Sequence, residues 1–253
     1  MDLETWFLWY KTILEDFGFN IKDDEESANT LNKLLKDKKV FKPEKININK
    51  NVVVCGAGPS IKKNINELKK IGIHKFTIIA ADGATTALLE ENITPNIIVT
   101  DLDGEMEDIL KADQSGSLLV VHSHGNNQDK IKKYVPLIKN VVGTSQSTPI
   151  GNLHNFGGFT DGDRCVFLAI KLDAELIVLA GMDFGKTVTS YSRPDLGKLT
   201  DQADDIKILK LEYAKKLIEW AAENENVEIV NISQGDTLKG VKNISIDQIR
   251  FKK

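Results

Sequence analysis

The ten residues Asn96–Glu105, NIIVTDLDGE, run three apolar side chains, Ile97, Ile98 and Val99, straight into two acids two positions apart. A short, nearly continuous apolar run that ends in polar residues reads as a strand buried on both faces, the mark of a parallel sheet. If the strand continues to its end, alternate side chains share a face, so Asp101 and Asp103 point the same way. Two carboxylates held that close repel, and either water screens them at a loop surface or a cation sits between them.

The same texture recurs on both sides of this stretch. VVVCG, FTIIAAD, SLLVVHSH, NVVGTS, ELIVLAG and VEIVNIS are short runs rich in Val and Ile. Helical segments lie between several of them. SIKKNINELKKIG sets Ile61, Ile65 and Leu68 on one stripe and stops at Gly72. Strands alternating with amphipathic helices predict an α/β fold, a doubly wound and mostly parallel sheet with helices on both faces.

Ahead of this region, residues 1–45 predict a small N-terminal helical appendage to an α/β catalytic domain at 46–253. Trp6, Trp9, Tyr10, Ile13 and Phe17 recur at helical spacing behind a potential cap, Asp2. Ala28, Leu31, Leu34 and Leu35 do so on a second helix. The aromatic face of the first helix packs on the main domain or on a second subunit, which makes a homodimer an open expectation. Its acids Asp2 and Glu4 are unlike a targeting segment. There is also no run of about 20 apolar residues, as a membrane span needs. A net charge of −4 without a basic block argues against nucleic acid as a partner. Two cysteines, Cys55 and Cys165, are too few for a disulfide scaffold or a zinc cluster, and a cytoplasmic setting is expected.

Ligands of such sheets bind beyond the carboxyl ends of the strands, so the residues just past each run carry the chemistry. Gly56, Gly58, Pro59 and Ser60 stand after the first run; glycines admit close backbone approach and a helix start offers N–H groups to phosphate. A strand-to-helix turn needs glycine for its own geometry as well. Asp82 and Gly83 stand after the second run, where the acid either caps a helix or joins Asp101 and Asp103 around a cation. A few carboxylates together with phosphate oxygens suit Mg²⁺. His122, His124 and Asn126 end another run and suit hydrogen bonding to substrate better than zinc, since no third histidine is near.

In GGFTDGDR, Thr160 caps a helix whose first turn carries Asp161 and Arg164, an ion pair or a metal ligand beside a phosphate-binding guanidinium. Asp183 and Phe184 follow the run LIVLA at the same edge. The aperiodic stretch from Asp183 to Asp204 reads either as a lid whose Lys186, Arg193 and Lys198 close over polyphosphate or as a disordered loop. Gly-Ala-Gly and then Asp82 also imitate a dinucleotide fingerprint, but Ile61 stands at its third glycine position.

The ordered set GAGPSI, ADGAT, TPNIIVTDLDGE, HSHGNN, GGFTDGDR and AGMDFG closely resembles the archaeal 6-hydroxymethyl-7,8-dihydropterin pyrophosphokinases over residues from about 45 to 235. That family is similar to thiamine pyrophosphokinases, in which an aspartate-rich strand end and a Thr-Asp helix start hold Mg²⁺ and ATP. Asp101 and Asp103 match the first feature, with Gly104 where the relatives usually carry Ser. Thr160 and Asp161 match the second, with Arg164 in place of Lys. The resemblance implies a thiamine-pyrophosphokinase-like fold and pyrophosphoryl transfer from ATP to the pterin hydroxymethyl oxygen, with release of AMP. Asp101, Asp103 and Asp161 would hold Mg²⁺, and Arg164 with the Gly56–Ser60 backbone would bind phosphate. His122 or a strand-end carboxylate would take the hydroxyl proton. Two other readings stay open: a sugar-nucleotide-dependent glycosyltransferase and a non-catalytic nucleotide sensor.

Overall fold

Seven of the Val- and Ile-rich runs become strands of one sheet, because side chains apolar on both faces are satisfied only between two helix layers. The structure, a computed structural model, describes residues 1–252. In chain order its main elements are α1 (Leu3–Phe17), α2 (Ile21–Leu35), β1 (Asn51–Cys55), α3 (Ile61–Ile71), β2 (Thr77–Ala81), α4 (Ala84–Leu89), β3 (Ile97–Thr100) and α5 (Met106–Gln114). They continue with β4 (Leu118–Ser123), α6 (Gln128–Tyr134), β5 (Val141–Ser145), β6 (Leu153–His154), α7 (Asp161–Lys171) and β7 (Leu176–Ala180). The last are β8 (Thr187–Thr189), β9 (Thr200–Gln202), α8 (Asp205–Asn224), β10 (Glu228–Asn231) and β11 (Lys242–Asn243).

The sheet order is β11-β10-β7-β1-β2-β3-β4-β5-β6, and every pairing in it is parallel. The chain winds outward from β1 to β6, then returns to lay β7 on the other side of β1. That reversal opens a crevice at the carboxyl ends of β1 and β7. The stretch expected as an aperiodic lid instead holds an antiparallel pair, β8 with β9.

Alternation along each strand divides the core in two. Val53, Ile78, Ile98 and Leu119 face one layer, formed by α2 to α6. Val52, Ile79, Ile97 and Val120 face the other, formed by α1, α7 and α8. The first 45 residues therefore contribute one helix to each face. α1 starts at Asp2, whose side chain accepts from the Thr5 N–H, and buries Trp6, Tyr10 and Ile13. α2 buries Ala28, Leu31 and Leu35. Among the described residues no helix is long and apolar enough to cross a membrane.

Gly143, inside β5, shows how closely α2 approaches. A Cβ there would lie 2.4 Å from Leu35 Cδ1 and 2.6 Å from Leu153 Cδ2. Gly143→Ala is expected to cost about 1–3 kcal/mol of stability through overpacking. Combining it with Leu35→Ala should be less than additive, because the second change vacates the space the first one fills. Denaturant titrations of the two single variants and the double variant measure that coupling, and strict additivity would show that α2 does not press on β5.

Candidate functional site

The carboxyl ends of β1 to β4 and β7 form the floor of a cavity of about 450 Å³. The α1–α2 turn and the start of α8 supply further wall, including Phe19, Asp24 and Lys207. The sequence-predicted site residues line it except Ser60 and the three cations Lys186, Arg193 and Lys198.

The acids converge, but not by strand alternation. β3 ends at Thr100, and Leu102 takes a left-handed backbone, φ 68°, with its side chain buried in the core. This turn, rather than continued pleating, brings Asp101 and Asp103 together. Asp82 joins them from the end of β2, also in the left-handed region at φ 41°. Its carboxylate accepts from the Thr100 hydroxyl, which in turn accepts from the Leu102 N–H at 2.8 Å. Gly104 makes room, since a Cβ there would sit 2.3 Å from Asp82 Oδ2.

One oxygen from each of Asp82, Asp101 and Asp103 lies within 4.8 Å of the others. Of the expected set Asp101, Asp103 and Asp161, the first two fall in this cluster. Asp82 is the third carboxylate of the cluster, while Asp161 faces the same cavity from the first turn of α7. Hard carboxylate oxygens at this spacing fit Mg²⁺, and the buried Asp101 Oδ1 has no hydrogen-bond partner.

The histidines hold two different positions. His124 Nε2 lies 3.1 Å from Asp101 Oδ2. His122 is buried, with Nδ1 3.2 Å from Thr144 Oγ1. The Thr144 hydroxyl is also placed to donate to the Val121 carbonyl, an arrangement that suits a proton on Nδ1 and an acceptor at Nε2. Nε2 is buried and has no partner. Burial first, then the charges of Arg164 and His124, hold this imidazole well below its usual range. It is a neutral acceptor.

Asn127, which ends HSHGNN but stood outside the predicted site set, fixes this corner. Its amide donates to the Asp101 and His122 carbonyls, and its oxygen accepts from the His124 N–H. Asp24 and Gln146 were also missed. Asp24 accepts from Tyr10 Oη, Gln146 Nε2 and the Gly125 N–H, and Gln146 Oε1 accepts from the Arg164 guanidinium at 3.0 Å. A buried acid and amide could be noticed from sequence only as polar residues interrupting apolar stripes.

The Gly56–Ser60 loop lines the cavity through Gly56, Gly58 and Pro59, but much of its hydrogen-bonding capacity is used within the chain. The Gly56 and Gly58 N–H groups donate to the Ala180 and Gly181 carbonyls at 2.8 Å. Ser60 is turned away, its N–H and hydroxyl both donating to Asp183 Oδ2 at 3.2 and 2.9 Å. A carboxylate of the chain itself already occupies the start of α3. The glycines serve close packing instead: a Cβ on Gly56 would meet Met182 Sδ at 2.5 Å, and one on Gly58 would meet the Gly181 carbonyl at the same distance.

The cations expected to close over the site are placed elsewhere. Lys186 is exposed, Arg193 pairs with Asp204 and Lys198 pairs with Asp201. Lys207 and Lys210 of α8 line the cavity instead.

The acids strain one another's ionisation. Asp82 and Asp161 are pushed well above the carboxylate range, first by burial and then by their acidic neighbours. Asp103 is raised to about 6, by burial and then by Asp101. Burial also opposes ionisation of Asp101, yet its hydrogen bond to His124 leaves it below the usual range.

A carboxyl raised in the fold gives stability that is complete below its unfolded value of about 4 and lost as pH rises through the folded value. For Asp103 that window ends at about 6. The metal-free protein should therefore lose part of its stability from about pH 4 to 6. Mg²⁺ should restore it, by about 2.7 kcal/mol at a concentration 100 times its Kd. Thermal unfolding at about pH 5 and about pH 8, with and without MgCl₂, tests this; the expected shift is larger at the higher pH. No shift at either pH would remove the metal assignment.

Comparison with known proteins gives this geometry a family. The model described as 6-hydroxymethylpterin diphosphokinase MptE-like matches residues 20–189. A 6-hydroxymethyl-7,8-dihydropterin pyrophosphokinase of Methanothermobacter thermautotrophicus is 51% identical over 230 residues, covering 90% of this chain and 99% of the relative. A protein of the same name from Methanocaldococcus jannaschii is 48% identical over 240 residues, covering 91% of this chain and 100% of the relative. A solved thiamine pyrophosphokinase from Bacillus subtilis is 15% identical, covering 73% of this chain and 61% of its own, with a TM-score of 0.36, a likeness too slight to carry weight. With two thirds of its length matched by the family model and half its residues shared with the curated relatives, this chain belongs to the 6-hydroxymethylpterin diphosphokinase MptE-like family.

Proposed function

We propose that the chain transfers a pyrophosphoryl group from ATP to the hydroxymethyl oxygen of 6-hydroxymethyl-7,8-dihydropterin, releasing AMP, in the formation of methanopterin- or folate-type pterins. The observation that carries the reading is the convergence of Asp82, Asp101 and Asp103 in a cavity shared with Asp161, Arg164 and His122. The printed names of the curated relatives support the choice of acceptor.

The acceptor oxygen forms a bond to the β-phosphorus while the bond from that phosphorus to the α,β-bridging oxygen breaks. The β and γ phosphates leave with the pterin, and the hydroxyl proton is released. Such transfers ask little covalent chemistry of a protein; positioning and charge neutralisation supply most of the rate. Asp82, Asp101 and Asp103 would hold Mg²⁺, with Asp161 close by. Bound there, the ion would neutralise phosphate charge and polarise the bond that breaks. Arg164, buried and oriented by Gln146, presents its guanidinium to phosphate oxygens. His122 lines the same cavity, and its unpartnered Nε2 would accept the hydrogen bond of the attacking hydroxyl once substrate reaches it.

Incubation with ATP, Mg²⁺ and the dihydropterin should yield AMP rather than ADP, only with acceptor present, and chelation should stop it. Asp101→Asn should lower kcat by about 10²–10³-fold, the scale of an electrostatic transition-state contact, with unfolding unchanged. ADP as product, or wild-type turnover in that variant, would overturn the reaction or the metal assignment respectively.

A further inference from the structure

The charges on the cavity wall do not pair across it. Asp82, Asp101, Asp103 and Asp161 stand at the strand ends and the start of α7, while Lys207 and Lys210 stand on α8. Lys207 lies in the fields of Asp161 and Asp103. Even so, among the described residues the ion pair of Asp103 is with Lys130, at 3.9 Å, and neither Lys207 nor Lys210 has a carboxylate partner.

Helix geometry aims both lysines inward. Lys207, Lys210, Ala214, Leu217 and Ala221 succeed one another at spacings of three and four, and the last three are buried in the core. The start of the helix is held firmly. Asp204 caps it by accepting the Lys207 N–H at 2.7 Å, and Arg193 pairs with the same carboxylate.

Two half-buried ammonium groups one turn apart, without counter-ions, are costly. Burial and then Lys210 already draw the Lys207 ammonium below its usual range. Carboxylates and ammonium groups that line one cavity without pairing leave room for a ligand that carries both signs. A polyphosphate bound with a divalent cation is such a ligand. Beside Arg164, which on the proposed reading already faces phosphate from α7, the other expected phosphate donors are engaged: the Gly56 and Gly58 N–H groups on carbonyls, Ser60 on Asp183, Arg193 and Lys198 on acids.

We propose that Lys207, supported by Lys210, grips the polyphosphate of the phosphate donor in the cavity it shares with the carboxylate cluster. The identification of that donor as ATP rests on the pyrophosphoryl-transfer reading; the polyphosphate site itself does not. Lys207 also lies beyond residues 20–189, where the family model matches.

The test is calorimetric titration of inorganic tripolyphosphate, with Mg²⁺, into the wild type and into Lys207→Met, Lys207→Arg, Lys210→Met and Lys186→Ala. Met keeps the stem that packs on the wall and removes only the charge. Lys207→Met should bind tripolyphosphate about 10- to 100-fold more weakly, the worth of a charge-assisted hydrogen bond. Lys207→Arg should recover most of that loss. Lys186→Ala, off the cavity, should match the wild type. Steady-state kinetics should show KM for ATP rising in Lys207→Met while KM for the dihydropterin stays unchanged. Unaltered tripolyphosphate affinity in Lys207→Met, or no tripolyphosphate binding by the wild type, overturns the proposal. An equal loss toward the acceptor would assign Lys207 to structure and overturn it too. If Lys207→Met fails to fold, Lys210→Met decides by the same titration. A wild type that binds tripolyphosphate but releases no AMP would overturn the proposed reaction and leave the lysine site standing.

Discussion

Everything at this site depends on holding like charges together. Asp82, Asp101 and Asp103 bring carboxylate oxygens within 4.8 Å of one another, an arrangement that electrostatics alone would spread apart. Two residues in the left-handed region, Asp82 and Leu102, help to enforce it. Sparsely populated backbone of this kind costs about 1–3 kcal/mol at each position, and it persists only where the surroundings over-determine it. Here they do: the Leu102 side chain is buried in the core, and Thr100 bonds both to the Asp82 carboxylate and to the Leu102 N–H. The sheet is the rigid frame that bears this cost, since β2 and β3 are neighbours in register through Ala81 and Val99.

The N-terminal helices belong to the same mechanical system. Trp6 of α1 donates its indole N–H to the Gln146 carbonyl at 2.8 Å. Tyr10 donates to Asp24 of α2, Asp24 accepts the Gln146 amide, and Gln146 accepts Arg164. A chain of hydrogen bonds therefore runs from two helices that pack on opposite faces of the sheet to a guanidinium on the cavity wall. Each link satisfies a buried polar group, so loss of any one leaves its neighbours unpaired at the expense that low dielectric imposes. The turn between these helices also carries Phe19 to the cavity mouth, 42% exposed and stacked on Phe17, so the N-terminal helices shape the entrance as well as the wall.

Much of this was legible in the amino-acid sequence, and the misses share a cause. The seven apolar runs announce seven strands because doubly buried strands must be apolar throughout. The clustering of Gly, Asp and His after them marks the edge where ligands bind. The Asp101–Asp103 pair was legible as a pair, but its geometry was not, because nothing in the letter Leu announces a left-handed backbone. Asp82 looked equally like a helix cap, and only the approach of β2 to β3 decides between cap and cluster. Lys207 and Lys210 did carry a signal. They continue an inward-facing stripe of α8 that becomes apolar further along, and a lysine on a core stripe faces the interior or a ligand. The edge strands β6 and β11 are two residues long and too short for any periodicity to show.

The glycine loop after β1 shows why a motif must be traced to its hydrogen bonds. A glycine-rich turn between strand and helix suggests phosphate because it leaves N–H groups free and permits close approach. In this chain both properties are used internally. The close approach is made by the β7 loop, whose Gly181 carbonyl and Met182 sulfur would collide with side chains at Gly56 and Gly58. The negative charge at the start of α3 is Asp183, held there by Ser60. A helix terminus that has already taken a carboxylate is a poor place for a second anion, because the same partial charge cannot be neutralised twice. The switch point still makes the crevice, but the crevice must draw its positive charge from other elements. The cations that line it, Arg164, Lys207 and Lys210, come from α7 and α8, on the layer opposite α3; on the proposed reading, side chains rather than backbone would grip the anion, from the other face of the sheet.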